Sequence, residues 1–300
     1  MPELPEIEMY LHALRKRVEG ARIERVRISS FSLLKTYDPA PEALVGESVD
    51  GLHRIGKRVS IDLTGSLHCV IHLMIAGRFR WYEEPGPIPK RGGLAAIEFS
   101  TGSLLLTEAG TKRRASMSIL RTEDLASVDP GGIEIADATF EEFRSAFLTN
   151  RHTLKRALTD ARYLSGIGGA FGDEILFDAQ LSPTQMNTNL TDEELHGLYE
   201  ASRRVLDAWT SRLIEEIGDS FPKRVTAFHP EMSVHGKFGE TCPVCATPIE
   251  RIVAAGRETN YCPGCQTNGK ILADRALSRL LKDDWPEKSK EQRAKNRDKS

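Results

Sequence analysis

The chain has 300 residues, 40% of them hydrophobic and 28% charged, with a formal net charge of −2 at pH 7. This length suggests two domains with buried cores and excludes a largely disordered chain. No apolar run approaches the roughly 18 residues of a membrane-spanning helix, and the acidic, Pro-rich start "MPELPEIEMY" is no secretion signal.

Charge is unevenly spread. Residues 221–300 hold 15 Lys/Arg against 10 Asp/Glu, whereas residues 1–220 hold 26 against 33. A basic C-terminal third on an acidic body suits either a phosphate-binding face or a solvated surface with a charged tail.

Residues 3–19 place Ile7, Leu11, Leu14 and Val18 on one helical face, with Pro2 and Pro5 at or before the first turn, where proline is tolerated. Alternation predicts a half-buried strand at 22–29, and strand-like runs recur at 57–63, 67–75, 78–82, 94–99 and 103–107, with a hairpin turn at 100–102. Short strands at this spacing predict an antiparallel sandwich. After "DPGG" at 129–132 the pattern turns helical. Thr139 with Glu142 forms a capping box, helices follow from about Thr153 and from about Ala170 to Ala179, and Thr191 with Glu194 caps a long amphipathic helix. The expected class is α+β. Its predicted parts are a sandwich domain at 1–130, a helical domain at 131–234, a cysteine-rich unit at 235–270 and a helical extension with a charged, disordered tail at 271–300.

Cys242, Cys245, Cys262 and Cys265 form C-x2-C-x16-C-x2-C, two tight thiolate pairs that supply the tetrahedral sulfur shell of a structural Zn2+. Between them, "IERIVAAGRETNY" reads as a β-hairpin turning near Gly256. Four redox thiols without metal are the alternative, while Cys69, in an apolar strand, reads as core. A closed four-sulfur site carries no chemistry itself. At the other end, removal of Met1 would expose the secondary amine of Pro2, which titrates near ~8 and is partly nucleophilic at neutral pH. Such an amine attacking a sugar carbon gives an iminium, an electron sink, and Glu3 beside it is placed to shuttle protons. Alone, "MPE" also suits a plain helix start.

"PELPEIE" at 2–8, "GKRV" at 56–59, "GIGGAFGDEILF" at 166–177 and "HGKFGETCPVCATPIERIVAAGRETNYCPGCQ" at 235–266 occur together in one order. Together they resemble the formamidopyrimidine-DNA glycosylase and endonuclease VIII family across residues 2–266. The resemblance implies a β-sandwich, a helix–two-turn–helix domain and a zinc finger. The implied protein is a cytoplasmic, nucleoid-associated monomer acting on double-stranded DNA that carries a damaged base or an abasic site. It implies Pro2 as the Schiff-base nucleophile, Glu3 as the neighbouring acid, Lys57 as a hairpin lysine assisting elimination, and Arg257 as the zinc-hairpin arginine on the phosphates flanking the lesion. Glu174, as a further catalytic residue, and Lys155 fall on family positions in the helical half. The implied activity is base excision followed by strand cleavage at the resulting abasic site. A damage sensor without catalysis, and the same chemistry on oxidised pyrimidines, are the alternatives. A zinc-and-helix module for structured RNA finds no support in the sandwich domain.

The chain departs from the family where the duplex is read. Of three side chains that fill the space of a flipped nucleotide, the Met position holds Ile75, with Met74 one residue early, the Arg position holds Thr111 and the Phe position holds Arg113, with Arg114 next to it. Gly169 replaces the family's Asn, a binding His is missing around 90–94, and the 218–234 segment is shorter than the loop that covers oxidised guanine in other members. An intact chemical core with an altered reading apparatus predicts a shift in lesion preference rather than in reaction type.

Overall fold

The computed structural model describes residues 1–110, 112–254 and 256–272. Two compact units emerge: Met1–Gly132 with Leu206–Ala227, and Ile133–Val205 with Phe228 and the residues after it. The sequence-based division kept 131–234 together, whereas compactness groups the end of the long helix with the first unit.

In the first unit, α1 (Leu4–Val18) begins with a capping box in which Glu3 and Glu6 satisfy each other's backbone N–H groups. Two four-stranded antiparallel sheets follow, ordered β1-β6-β7-β5 and β2-β3-β4-β8. Their strands are β1 (Ile23–Ile28), β2 (Val49–Ile55), β3 (Arg58–Leu63), β4 (Leu67–His72), β5 (Gly77–Tyr82), β6 (Gly93–Phe99), β7 (Gly102–Glu108) and β8 (Ser116–Arg121). One face of the second sheet buries Leu52, Val59, Ile61, Cys69, Ile71, Met117 and Ile119. On its other face Ile55, Val70 and Leu120 pack under Leu125 and Val128. Tyr10 of α1 meets Phe79 of β5 edge-to-face, ring centroids 5.2 Å apart. The expected sandwich is present, with Cys69 fully buried in it.

The second unit contains α2 (Phe140–Leu148), α3 (Leu154–Leu158), α4 (Gly169–Asp178), the start of α5 (Asp192–Ile217), the hairpin β9 (Glu250–Ala254) and β10 (Arg257–Tyr261), and the short α6 (Pro263–Gln266). Thr139 caps α2 with Glu142, and Thr191 with Glu194 caps α5, as the sequence predicts. Phe177 of α4 packs with Val234, Cys242, Ile249 and Cys262 in one buried cluster. Thr111 and the proposed extension and tail beyond residue 272 lie outside the described residues. Among the described residues no helix is long and apolar enough to cross a membrane.

Candidate active site

Pro2 and Glu3 are buried at the head of α1, with Glu3 3% exposed. The Met1 amine that precedes them is held below its ordinary value of 8.0, chiefly by burial, in the field of Glu3, Arg78, Glu6 and Lys57. A lowered amine pKa raises the fraction carrying a free lone pair, which a nucleophile requires.

Lys57 sits in the two-residue turn joining β2 to β3, after Gly56 at φ +60°. A positive φ at the first turn position admits glycine without the Cβ clash other residues meet. The hairpin is braced by α1: Glu8 accepts from Arg54 Nε at 3.0 Å, and Arg54 in turn donates to the Gly56 carbonyl at 2.8 Å. Helix and hairpin thus bring the charge of Lys57 within reach of the Met1 amine's titration, although Lys57 lies 55 positions after Pro2 in the sequence.

Two groups that sequence reasoning missed belong here. The Glu3 N–H donates to Glu6 Oε2 at 2.9 Å, and burial together with the charge of Glu3 pushes the Glu6 carboxyl up to about 8. Glu6 therefore holds a proton at neutral pH beside the amine, the condition for a proton donor. His72 of β4 is pushed down to about 4, first by burial and then by Arg58, Lys57 and the amine, so its imidazole is neutral at pH 7. Its Nδ1 accepts from the Met74 N–H at 3.1 Å, which leaves Nε2 as the protonated nitrogen. The available sequence signals were the second carboxylate of "PELPEIE" and a polar residue in an apolar strand, both of which also suit a cap and a solvated face.

Ile75 is 59% exposed at the tip between β4 and β5, beside Met74 at φ +53°. Arg113 and Arg114 are exposed on the loop after β7.

The other predicted residues lie in the second unit. Glu174 is 4% exposed and accepts from the backbone N–H groups of Ser233 (2.8 Å), Val234 (2.9 Å) and His235 (2.9 Å). Both of its oxygens thus hold the 233–235 loop. Lys155 also has partners within the second unit. Its Nζ donates to the Gly169 carbonyl and meets Asp173 Oδ1 at 2.7 Å. Asp173 is fully buried, and its other oxygen lies 2.7 Å from His235 Nδ1. Gly169 opens α4 with space around it, since a Cβ there would meet nothing within 4 Å. Arg257 is exposed at the start of β10, paired in register with Ala254.

The sulfurs of Cys242, Cys245, Cys262 and Cys265 all lie within 4.8 Å of one another, with 3.8 Å between Cys242 and Cys265 and 3.3 Å between Cys245 and Cys262. A tetrahedron of Zn–S bonds has edges of about 3.8 Å, so the donor set fits one structural Zn2+. Gly264 is obligatory in the second knuckle, because a Cβ would stand 2.8 Å from Cys245 Sγ and 2.6 Å from Thr247 Oγ1.

Residues 1–117 match the formamidopyrimidine-DNA glycosylase N-terminal domain, 129–212 the formamidopyrimidine-DNA glycosylase H2TH domain, and 239–268 the zinc finger found in FPG and IleRS. A formamidopyrimidine-DNA glycosylase of Bacillus cereus is 32% identical over 279 residues, covering 89% of this chain and 99% of its own. This chain belongs to the formamidopyrimidine-DNA glycosylase family. A relative of that name from Mycoplasmopsis pulmonis is 30% identical, covering 89% of this chain and 98% of its own. The fold is similar to that of Lactococcus lactis Fpg in complex with an abasic-site-containing DNA, at 23% identity and TM-score 0.77, covering 88% of this chain and 99% of that one. It is also similar to the wild-type Lactococcus lactis protein with an oxidised-pyrimidine-containing DNA, at 25% identity and TM-score 0.78, covering 89% and 100%.

In this family member the Glu174 contacts make a direct prediction. Glu174→Ala leaves one buried and two part-buried N–H groups without their acceptor, so unfolding in urea should show a loss of about 3 kcal/mol. Unchanged stability would mean that the 233–235 loop does not depend on this carboxylate.

Proposed function

We propose that this protein is a DNA glycosylase of base excision repair that also cleaves the strand at the abasic site it makes, with the Pro2 amine as nucleophile. The observation carrying this reading is the burial of Pro2 at the head of α1, next to a Met1 amine that burial holds below its ordinary pKa in the field of Glu3, Glu6 and Lys57. Attack of the amine on the sugar carbon bearing the damaged base expels the base and costs the amine its proton, and breaking of that carbon's bond to the ring oxygen, which takes up a proton, then forms an iminium. The resulting iminium acidifies the neighbouring sugar proton, and its removal breaks the strand by β-elimination, with δ-elimination as a following step. Glu3 and the protonated Glu6 are placed to supply and accept protons at the sugar. The Lys57 ammonium stabilises phosphate charge as the leaving group departs.

Zinc bound by the four cysteines supplies no chemistry to these steps; it sets the hairpin that presents Arg257 to phosphate. Incubation with a duplex carrying a ring-opened purine should release the base and nick the strand. Zinc-replete protein that does neither overturns the reading.

Lesion preference follows from the reading loops. Ile75 exposes a branched aliphatic chain able to unstack a base step, while Arg113 stands where an aromatic is expected. An aliphatic wedge makes no hydrogen bond to the orphaned base, a contact worth roughly 1–3 kcal/mol. In single-turnover assays, 8-oxoguanine opposite cytosine should be processed about tenfold or more slowly than abasic, ring-opened or helix-distorting lesions, which cost less to flip. If 8-oxoguanine opposite cytosine is the fastest substrate, this assignment of the tips is wrong.

A further inference from the structure

Among the described residues, the two large apolar side chains most open to water are Phe31 at 81% and Tyr37 at 85% exposed, both between β1 and β2. Single exposed apolar side chains are common on protein surfaces. Phe31 is set apart by the backbone that carries it. Ser29 Oγ donates to the Gly93 carbonyl at 2.9 Å, and the Ser29 N–H donates to the Leu94 carbonyl at 2.9 Å. Phe31–Leu33 then forms a single 3-10 turn, closed by the Leu34 N–H on the Phe31 carbonyl at 3.1 Å. Lys35 Nζ donates to the Ser32 carbonyl at 2.9 Å. Leu33 and Leu34 are buried, and Leu34 bridges Met117 of β8 in parallel. Thr36 Oγ1 accepts from the Ile119 N–H at 2.8 Å and donates to the Ile119 carbonyl at 3.0 Å. Both sides of the turn are fixed to strands, and the ring is held out from it.

Strand register fixes where the ring stands. Ile28 at the end of β1 pairs with Ala95 near the start of β6, and Ser116 at the start of β8 pairs with His72, which also pairs with Arg58 just after Lys57. The turn therefore belongs to the end of the sandwich that carries the Lys57 hairpin and the Ile75 tip. The residues leading into the Leu34–Met117 bridge begin at Phe31 on one side and Arg114 on the other, so the exposed Arg113 and Arg114 come from the neighbouring segment. Tyr37 lies toward the opposite end of β8, where Asp38 meets Arg121 at 3.5 Å. An aromatic ring on a fixed backbone has little freedom to lose on binding. Every nucleobase offers it a π-face, and the nearby cations draw a phosphate strand toward it.

We propose that Phe31 is a stacking platform for an unpaired nucleobase of the bound DNA. The inference rests on the DNA-directed reading above and narrows its substrate class. Strands in which a base has already left its pair, at an abasic site or in single-stranded DNA, present a free face to the ring, whereas an intact duplex keeps its faces within the stack.

The test is equilibrium binding of the full chain to three DNAs: an intact duplex, the same duplex with a tetrahydrofuran abasic analogue, and the analogue-bearing single strand. Phe31→Ala should weaken binding to both abasic DNAs about fivefold or more, and to the intact duplex by less than about twofold. The slope of log affinity against log salt should not move, because stacking releases no counterions. Phe31→Trp should restore affinity, and Tyr37→Ala should bind as wild type. Thermal midpoints should be unchanged, since a ring 81% exposed has little packing to lose. Undiminished affinity of Phe31→Ala for abasic DNA overturns the platform. So does an equal loss on the intact duplex, or a slope lowered by about 1, which would place the residue among phosphate contacts. Phe31-dependent binding by a wild-type protein that forms no covalent adduct on borohydride treatment overturns the catalytic reading and leaves the platform standing. Adduct formation with Phe31-independent binding does the reverse.

Discussion

Borohydride added to this protein on an abasic-site duplex is expected to freeze a covalent protein–DNA adduct that maps to the first residues of the chain. The iminium formed by an N-terminal secondary amine is reducible, whereas a purely hydrolytic enzyme leaves nothing to trap. An extension that blocks Pro2 should lower trapping by a factor of about 10³ or more, since a missing nucleophile removes the covalent route entirely. Burial holds the Met1 amine below its ordinary value of 8.0, and a Pro2 amine exposed by removal of Met1 starts from a position that is itself buried. The acid limb of the trapping rate should therefore fall below pH 8, with activity persisting where an exposed α-amine would be protonated. Glu3→Gln should slow base release by about a hundredfold while sparing much of the cleavage at preformed abasic sites, which need no departing base. Equal trapping by the blocked protein would move the nucleophile elsewhere.

The second large effect concerns the metal. Metal analysis should find one zinc per chain, and Cys262→Ser should lose it together with most of the DNA affinity, at least about tenfold. Cys262 is fully buried and shares its cluster with Phe177, Val234 and Ile249, so its loss opens apolar core as well as the sulfur shell. Arg257→Ala is the control: it should retain zinc and weaken binding with a shallower salt dependence. A zinc-free protein that binds as wild type would refute the structural role of the site.

Where local chemistry decides structure, the sequence was readable. Thr139 with Glu142, Thr191 with Glu194, and the two cysteine knuckles each need a fixed spacing of particular residues, and all three are present in the fold. Strands β2 and β8 were not anticipated. In β2 burial does not alternate, because Gly51 and His53 share a face with Ile55. In β8 four consecutive residues are buried, so no period of two appears. Of the candidate site, Pro2, Glu3 and Lys57 could be proposed through motif resemblance. Glu6 and His72 could not, because what distinguishes them is burial beside an amine that only the folded sandwich brings near. For Glu174 and Lys155 only the positions could be read. Their positions matched, but the buried partners that occupy them come from segments 59 and 18 residues away.

The grip of Glu174 on residues 233–235 also bears on how far this protein can be taken apart. Helix α4 buries Phe177 against cysteines and aliphatics of the metal module, and Gln266 donates to the Leu181 carbonyl at 2.9 Å just past the helix. Neither piece owns a complete interior. A graft that transplants residues 239–268 alone into another scaffold would leave Ile249 and Cys262 without their lid, and a fragment ending at 205 would leave Glu174 facing no amide donors. Chimeras within this family should exchange 133–205 and 228–272 together, and a swap of either segment by itself should yield protein that binds zinc weakly and aggregates.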